Sequence, residues 1–161
     1  MTTCSLGALV TGAAGFAPCT AEACMELLRA HGIDPAGRRV TVVGRSLVIG
    51  RPAALLLTRA DATVTLCHRK TPDLAARCRD ADILLAAAGA PGLITTDFVR
   101  PGQIVLDAGA TALPDGTLRG DVAPDAAAIA VCTPVPGGIG SVTTALLLRH
   151  TVQAAENLRH F

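Results

Sequence analysis

Three short segments of this chain have residue types and spacing that could do chemistry. The first is Val40-Thr-Val-Val-Gly-Arg-Ser-Leu-Val-Ile-Gly-Arg-Pro52. It reads as a strand that turns on Gly44 and enters a helix near Pro52. Such a junction gathers free N–H groups and the positive end of a helix dipole, an arrangement that attracts a phosphate. Gly44 lets the backbone turn sharply, and Gly50 lets the helix pack close to the strand. Arg45 and Ser46 sit in the turn itself. The spacing is G-x-S-x-x-x-G and not G-x-G-x-x-G, so glycine-mediated packing without a ligand is the competing reading.

The second segment, Cys67-His68-Arg69-Lys70, lies about two dozen residues beyond Gly44, where a second strand would end. A carboxylate at that place would bind a ribose 2′-hydroxyl. Basic groups stand there instead, and with Arg45 they suit a 2′-phosphate, because guanidinium forks match phosphate oxygens. That favours NADP, with NAD retained as the second choice and a solvated basic turn as the alternative. The third segment, Thr133-Pro-Val-Pro-Gly-Gly-Ile-Gly140, is a rigid loop that still permits close backbone approach.

These segments need elements to hold them. Residues 1–17 read as an irregular lead-in, rich in glycine, and residues 18–161 as one dinucleotide-binding domain. Thr20 is a candidate N-cap for a helix whose apolar face is Cys24, Leu27, Leu28 and His31, ended by Gly32. Strands are expected at 40–43, 62–67, 83–87, 104–107 and 128–131. Helices are expected after Pro52, over 73–79, and from Ser141, with Ala145, Leu148, Val152 and Ala155 on one apolar face. The Pro-Asp-Gly turn in Leu113–Leu118 predicts a small hairpin arm. Strands alternating with helices predict an α/β fold, a doubly wound parallel sheet of Rossmann type covered on both faces.

Composition narrows the function classes. A chain of 161 residues suits one domain with a self-supporting core. Half the residues are hydrophobic, 17% are charged, and the net charge is +1, so no steering towards nucleic acid or an acidic membrane is expected. Only three Phe and neither Trp nor Tyr are present, which removes a base-stacking platform. Six cysteines without C-x-x-C spacing predict reduced, mostly buried thiols and a cytoplasmic setting. Neither a signal peptide nor a membrane span is expected. No metal-ligand spacing is present. His31, His150 and His160 are read as solvated, Cys19 as a structural thiol, and Asp121 as a turn-fixing residue. Asp107 either serves the cleft or caps a loop.

At this point the residues resemble a family. Gly15-Phe-Ala-Pro-Cys-Thr20, Val43-Gly-Arg-Ser46 with Gly50 and Pro52, Cys67-His68-x-Lys70-Thr71, Ala81-Asp-Ile-Leu84, Pro101-Gly-x-Ile-Val105, Gly120-Asp-Val122 and Thr133–Gly140 recur in order. Over about Gly15–Arg159 the chain resembles the cofactor-binding domain of the bifunctional methylenetetrahydrofolate dehydrogenase/cyclohydrolase family. The resemblance implies oxidation of 5,10-methylenetetrahydrofolate with NADP or NAD, in a homodimer. It places Gly44, Arg45 and Ser46 at the cofactor phosphates, beside the basic turn of His68 and Arg69. It sets the Gly109-Ala110-Thr111 backbone against the cofactor, and Pro134, Pro136, Gly137 and Gly138 beside the nicotinamide.

The resemblance also implies what is missing. In the family a separate N-terminal domain supplies a Tyr-x-x-x-Lys pair, a Gln and an Asp, and no such stretch is present in this sequence. The lone lysine, Lys70, belongs to the cofactor turn. No catalytic residue is therefore assigned, the cyclohydrolase step is expected to be lost, and a separate catalytic-domain chain is a candidate partner. An exposed apolar patch is expected where such a domain would dock. Thr111 replaces the family's Asn, and Ser141-Val142 its Pro-Met. Three functions stay open: an NADP-dependent dehydrogenase acting on a folate-type small molecule, a non-catalytic NADP-binding module or partner subunit, and the same scaffold acting on another small substrate.

Overall fold

The computed structural model describes residues 2–158. Five strands form one wholly parallel sheet: β1 (Arg39–Val43), β2 (Thr63–Cys67), β3 (Ile83–Ala86), β4 (Ile104–Asp107) and β7 (Val131–Cys132), in the order β2-β1-β3-β4-β7. Side chains alternate across each strand, so one strand feeds two cores. Val40 and Val42 of β1, Ile83 and Leu85 of β3 and Leu106 of β4 point to one face. They meet α2 (Cys19–Ala30), α3 (Gly50–Arg59) and α6 (Ile139–Leu158) there. Val43, Leu84, Ala86 and Val105 point to the other and meet α4 (Leu74–Arg79) and α5 (Pro124–Ile129). The doubly wound parallel sheet expected from the sequence is the observed architecture. The two edge strands depart from two-sided burial, with Thr63, Thr65 and Leu66 of β2 and Val131 of β7 exposed. The hairpin arm forms from β5 (Thr111–Ala112) and β6 (Leu118–Arg119).

Four expectations are corrected. The lead-in is not irregular: Thr3–Thr11 form helix α1, with the Thr2 side chain accepting from the Ser5 N–H and Gly12 in a left-handed C-cap. Helix α2 begins at Cys19 with Pro18 as its cap residue, so Thr20 lies inside the helix and caps nothing. Ala128 and Ile129 close α5 and are not strand. Pro124 in the first turn and the following alanines favour helix, and β7 is only Val131–Cys132. Along α6 the expected face of Ala145, Leu148, Val152 and Ala155 lies in solvent, with Leu148 65% and Val152 57% exposed. The packed face is Ile139, Val142 and Leu146. The helix carries two apolar stripes, and periodicity alone does not say which one meets the sheet.

At the carboxyl end of the sheet two buried aspartates hold the loops. Asp107, last residue of β4, accepts hydrogen bonds from the backbone N–H groups of Gly109, Asp121 and Val122 at 2.9–3.0 Å. Asp121 accepts from those of Ala88, Gly89 and Ala90 at 2.6, 3.0 and 2.7 Å. Burial raises the Asp107 pKa, against the pull of its three amide donors. Three amides depend on each carboxylate, and a buried N–H left without a partner costs about 1–3 kcal/mol. Asp121→Ala is therefore expected to destabilise the chain by about 3 kcal/mol or more, read from urea unfolding followed by circular dichroism. A loss within the ~0.5 kcal/mol typical of surface changes would show that the three amides are satisfied elsewhere.

All six cysteines are free. Burial pushes Cys24 and Cys78 up to about 12 and Cys132 to about 11, from an ordinary 9.0. Iodoacetamide at pH 8 is therefore expected to leave these three unlabelled in the native chain and to label exposed Cys4, read by peptide mass spectrometry. The sign of the pH effect follows from linkage. Between the unfolded and folded thiol values the unfolded chain holds fewer protons, so this contribution is intact below about pH 9 and is lost as pH rises towards 12.

Candidate functional site

The sheet changes direction between β1 and β3: the chain runs from β1 outward to β2 and returns to the other side of β1 for β3. In open α/β sheets a crevice opens at such a switch point, outside the carboxyl ends of the strands. Every sequence-predicted site residue follows one of those ends. Gly44–Ser46 follow β1, His68 and Arg69 follow β2, Gly109–Thr111 follow β4, and Pro134–Gly138 follow β7.

Two glycines make the first turn. Gly44 has φ +127°, and a Cβ there would lie 1.9 Å from the Ala87 carbonyl oxygen at the end of β3. A Cβ on Gly50 would lie 1.9 Å from the Gly44 carbonyl oxygen. The α3 N-terminus is thus seated directly on the turn, as its G-x-S-x-x-x-G spacing predicts. Ser46 Oγ accepts the Ile49 N–H at 3.1 Å and closes the turn, leaving Arg45–Val48 exposed.

The basic turn closes on itself. The His68 N–H donates to Thr71 Oγ1 at 2.9 Å, and the Lys70 N–H donates to His68 Nδ1 at 3.1 Å. Gly44, Arg45, His68, Arg69, Lys70 and Ala88 line a cavity of about 360 Å³. Three fixed or titratable cationic side chains and an imidazole around one open cavity fit a phosphate-bearing group.

A second cavity, about 430 Å³, lies towards the far edge of the sheet. Asp107, Ala108, Gly109 and Ala110 form one wall, and the 134–141 loop forms the other. The Thr133 hydroxyl anchors that loop by accepting the Asp107 N–H at 2.8 Å, and the Val135–Pro136 peptide is cis. The structure thus gathers the predicted residues into two groups. Gly44, Arg45, His68 and Arg69 line one cavity; Gly109, Ala110, Pro134, Pro136, Gly137 and Gly138 line the other. Ser46 and Thr111 line neither, the first holding the turn and the second opening the hairpin. Sequence reasoning missed Thr20, Thr143 and Thr144, which line the second cavity from α2 and α6. Their nearness to the Gly15–Thr20 and Thr133–Gly140 motifs was the available signal. Asp107 also lines this cavity, but its oxygens are engaged by backbone amides. Among the described residues no group of His, Cys, Asp or Glu could hold a metal ion, and no helix is long and apolar enough to cross a membrane.

Comparison with known proteins agrees with this arrangement. The model of the tetrahydrofolate dehydrogenase/cyclohydrolase NAD(P)-binding domain matches residues 18–159. The bifunctional protein FolD 1 of Rhodococcus jostii is 59% identical over 155 residues, which are 94% of this chain and 52% of that protein. FolD of Nocardia farcinica is 53% identical, over 96% of this chain and 56% of its own length. The chain spans about half the length of the curated relatives it matches. Among solved structures, FolD from Campylobacter jejuni superposes with a TM-score of 0.89 at 42% identity, covering 94% of this chain and 55% of that one. The Trypanosoma brucei FolD, complexed with NADP cofactor and an inhibitor, gives 0.85 at 42% identity with the same two coverages. The family model spans most of the chain and the fold superposes closely, so this chain belongs to the tetrahydrofolate dehydrogenase/cyclohydrolase NAD(P)-binding domain family.

Proposed function

We propose that this chain binds NADP as the cofactor half of a methylenetetrahydrofolate dehydrogenase. The observation that carries the reading is the basic cavity of Arg45, His68, Arg69 and Lys70, contiguous with the glycine turn through Gly44. Arg45 and Arg69 would grip a 2′-phosphate, which NAD lacks. Ser46 would hold the turn over the pyrophosphate, with the α3 N-terminus behind it. The bound nicotinamide would supply a hydride acceptor. Pro134–Gly138 and Gly109–Ala110 would press the ring into one orientation, and a folate-type molecule would enter the second cavity beside it.

The same cavity argues against cyclohydrolysis by this chain alone. Cyclohydrolysis needs a placed acid or base. Among the described lining residues the polar side chains are Thr20, Ser141, Thr143, Thr144 and the amide-bound Asp107. A separate catalytic-domain chain is the proposed source of the missing groups. Exposed Leu147, Leu148 and Val152 on α6 offer it an apolar face. A homodimer and a cytosolic setting complete the proposal, the first from the family resemblance and the second from six free thiols.

The lack of a free acid or base in the cavity also favours a second reading, a cofactor-binding module without turnover. One experiment separates the two. NADP binding is measured by calorimetry, and NADP reduction by absorbance with 5,10-methylenetetrahydrofolate. Arg45→Ala is expected to weaken NADP binding roughly 10- to 100-fold, the value of one charge-assisted phosphate contact, and to change NAD binding little. Reduction that disappears with Arg45→Ala supports the dehydrogenase. Binding without reduction supports the module, and equal affinity for NADP and NAD would overturn the 2′-phosphate reading.

A further inference from the structure

Where α2 packs on α6, three side chains from the two helices form an array that the cofactor reading does not use. His150 of α6 is the centre. Its side chain is 11% exposed, not solvated as its place in the sequence suggests. Nε2 lies 2.9 Å from Glu22 Oε2, and Nδ1 lies 3.6 Å from Cys19 Sγ. The carboxylate fixes the tautomer: Nε2 carries the hydrogen donated to Glu22, which leaves the Nδ1 lone pair facing the thiol. The Phe16 ring packs on the imidazole, with centroids 4.8 Å apart. Cys19 is half-buried and is the first residue of α2. His150, Glu22, Phe16, Arg59, Arg149 and Gln153 line a cavity of about 370 Å³ beside it.

A nucleophile, a base within reach of its proton and a carboxylate orienting that base are the parts of an activated thiol. The geometry points to Cys19 as a modification site that exchanges with small disulfides, with His150 as its base and Glu22 as the group that orients the base. In the step, Cys19 Sγ attacks one sulfur of the disulfide. A new S–S bond forms as the old one breaks, the Cys19 proton passes to His150 Nδ1, and the second sulfur leaves as a thiolate. Cys19 is oxidised to a mixed disulfide and the reagent is reduced to one thiol. The charged groups facing the array are Glu22 and Glu26 on α2, Arg149 on α6 and Arg59 on α3. Arg149 is held by both glutamates, at 2.5 and 3.3 Å, and sits on the carboxylate side of the imidazole.

Cys4 is the internal reference. It is exposed and lies in the first turn of α1, so it shares the helix end, and among the described residues no histidine is hydrogen-bonded to it. The native chain is treated with glutathione disulfide at pH 7, and each cysteine is read by peptide mass spectrometry over time. Cys19 is expected to form the mixed disulfide roughly tenfold faster than Cys4, a modest share of what a placed base can give. His150→Gln is expected to bring Cys19 down to the Cys4 rate, and Glu22→Gln to slow it by a smaller factor. Protection of Cys24, wholly buried in the core, reports that each variant is folded. Should His150→Gln unfold, the wild-type ratio and Glu22→Gln decide. Cys19 reacting no faster than Cys4, or a folded His150→Gln variant reacting as fast as wild type, overturns the proposal.

Discussion

Two carboxylates bonded to six backbone amides hold the working end of this domain together. Asp107 ties the end of β4 to the 121–122 segment, and Asp121 in turn ties that segment to the loop after β3. Without them, the loops would meet as irregular chain with buried N–H groups facing one another. No cation neutralises either carboxylate among the described ion pairs. The amides do that work, as they do at helix N-caps, and each bond is charge-assisted. Burial and amide donation pull the Asp107 proton affinity in opposite directions, and burial is the larger effect.

On that base the crevice needs little more than backbone. The Gly44 turn touches the end of β3 and the start of α3 together, so three elements converge where any Cβ would collide. The wall opposite is stiffened by prolines and anchored through the Thr133 hydroxyl. The two cavities then differ in chemistry. One is basic and open, its charged groups coming from the turns after β1 and β2; the other is lined mostly by apolar and uncharged groups, from the segments after β4 and β7 and from α2 and α6. A ligand with an anionic end and a flat, weakly polar end matches that division.

Much of this was legible in the sequence. Gly44, Gly50 and the Thr133–Gly140 loop act through backbone geometry, which glycine and proline advertise by their identity. The alternation of short apolar runs with helical stretches was enough for the parallel sheet. What stayed hidden depends on which partner a residue meets. The α6 stripes at Leu148 and at Leu146 are equally apolar, and only the packing of α2 chooses between them. His150 looks like any surface histidine until α2 brings Glu22 and Cys19 against its two nitrogens. Helix α1 escaped because Gly7 and Gly12 read as breakers, although Gly12 in fact ends the helix in a left-handed cap. The 121–122 bridge was read as a turn. Its reach to Ala88–Ala90, more than 30 residues away in sequence, leaves no local trace.

The aspartate braces hold the loops they shape through main-chain amides. The contour of the crevice floor is therefore largely independent of which side chains stand on it. The bonds that fix residues 88–90 run to their N–H groups, not to their side chains. A scaffold built this way separates the task of keeping a cavity's shape from the task of choosing its occupant. New ligand preferences can then arise by substitution at a handful of loop positions, while the two carboxylates beneath them stay constant.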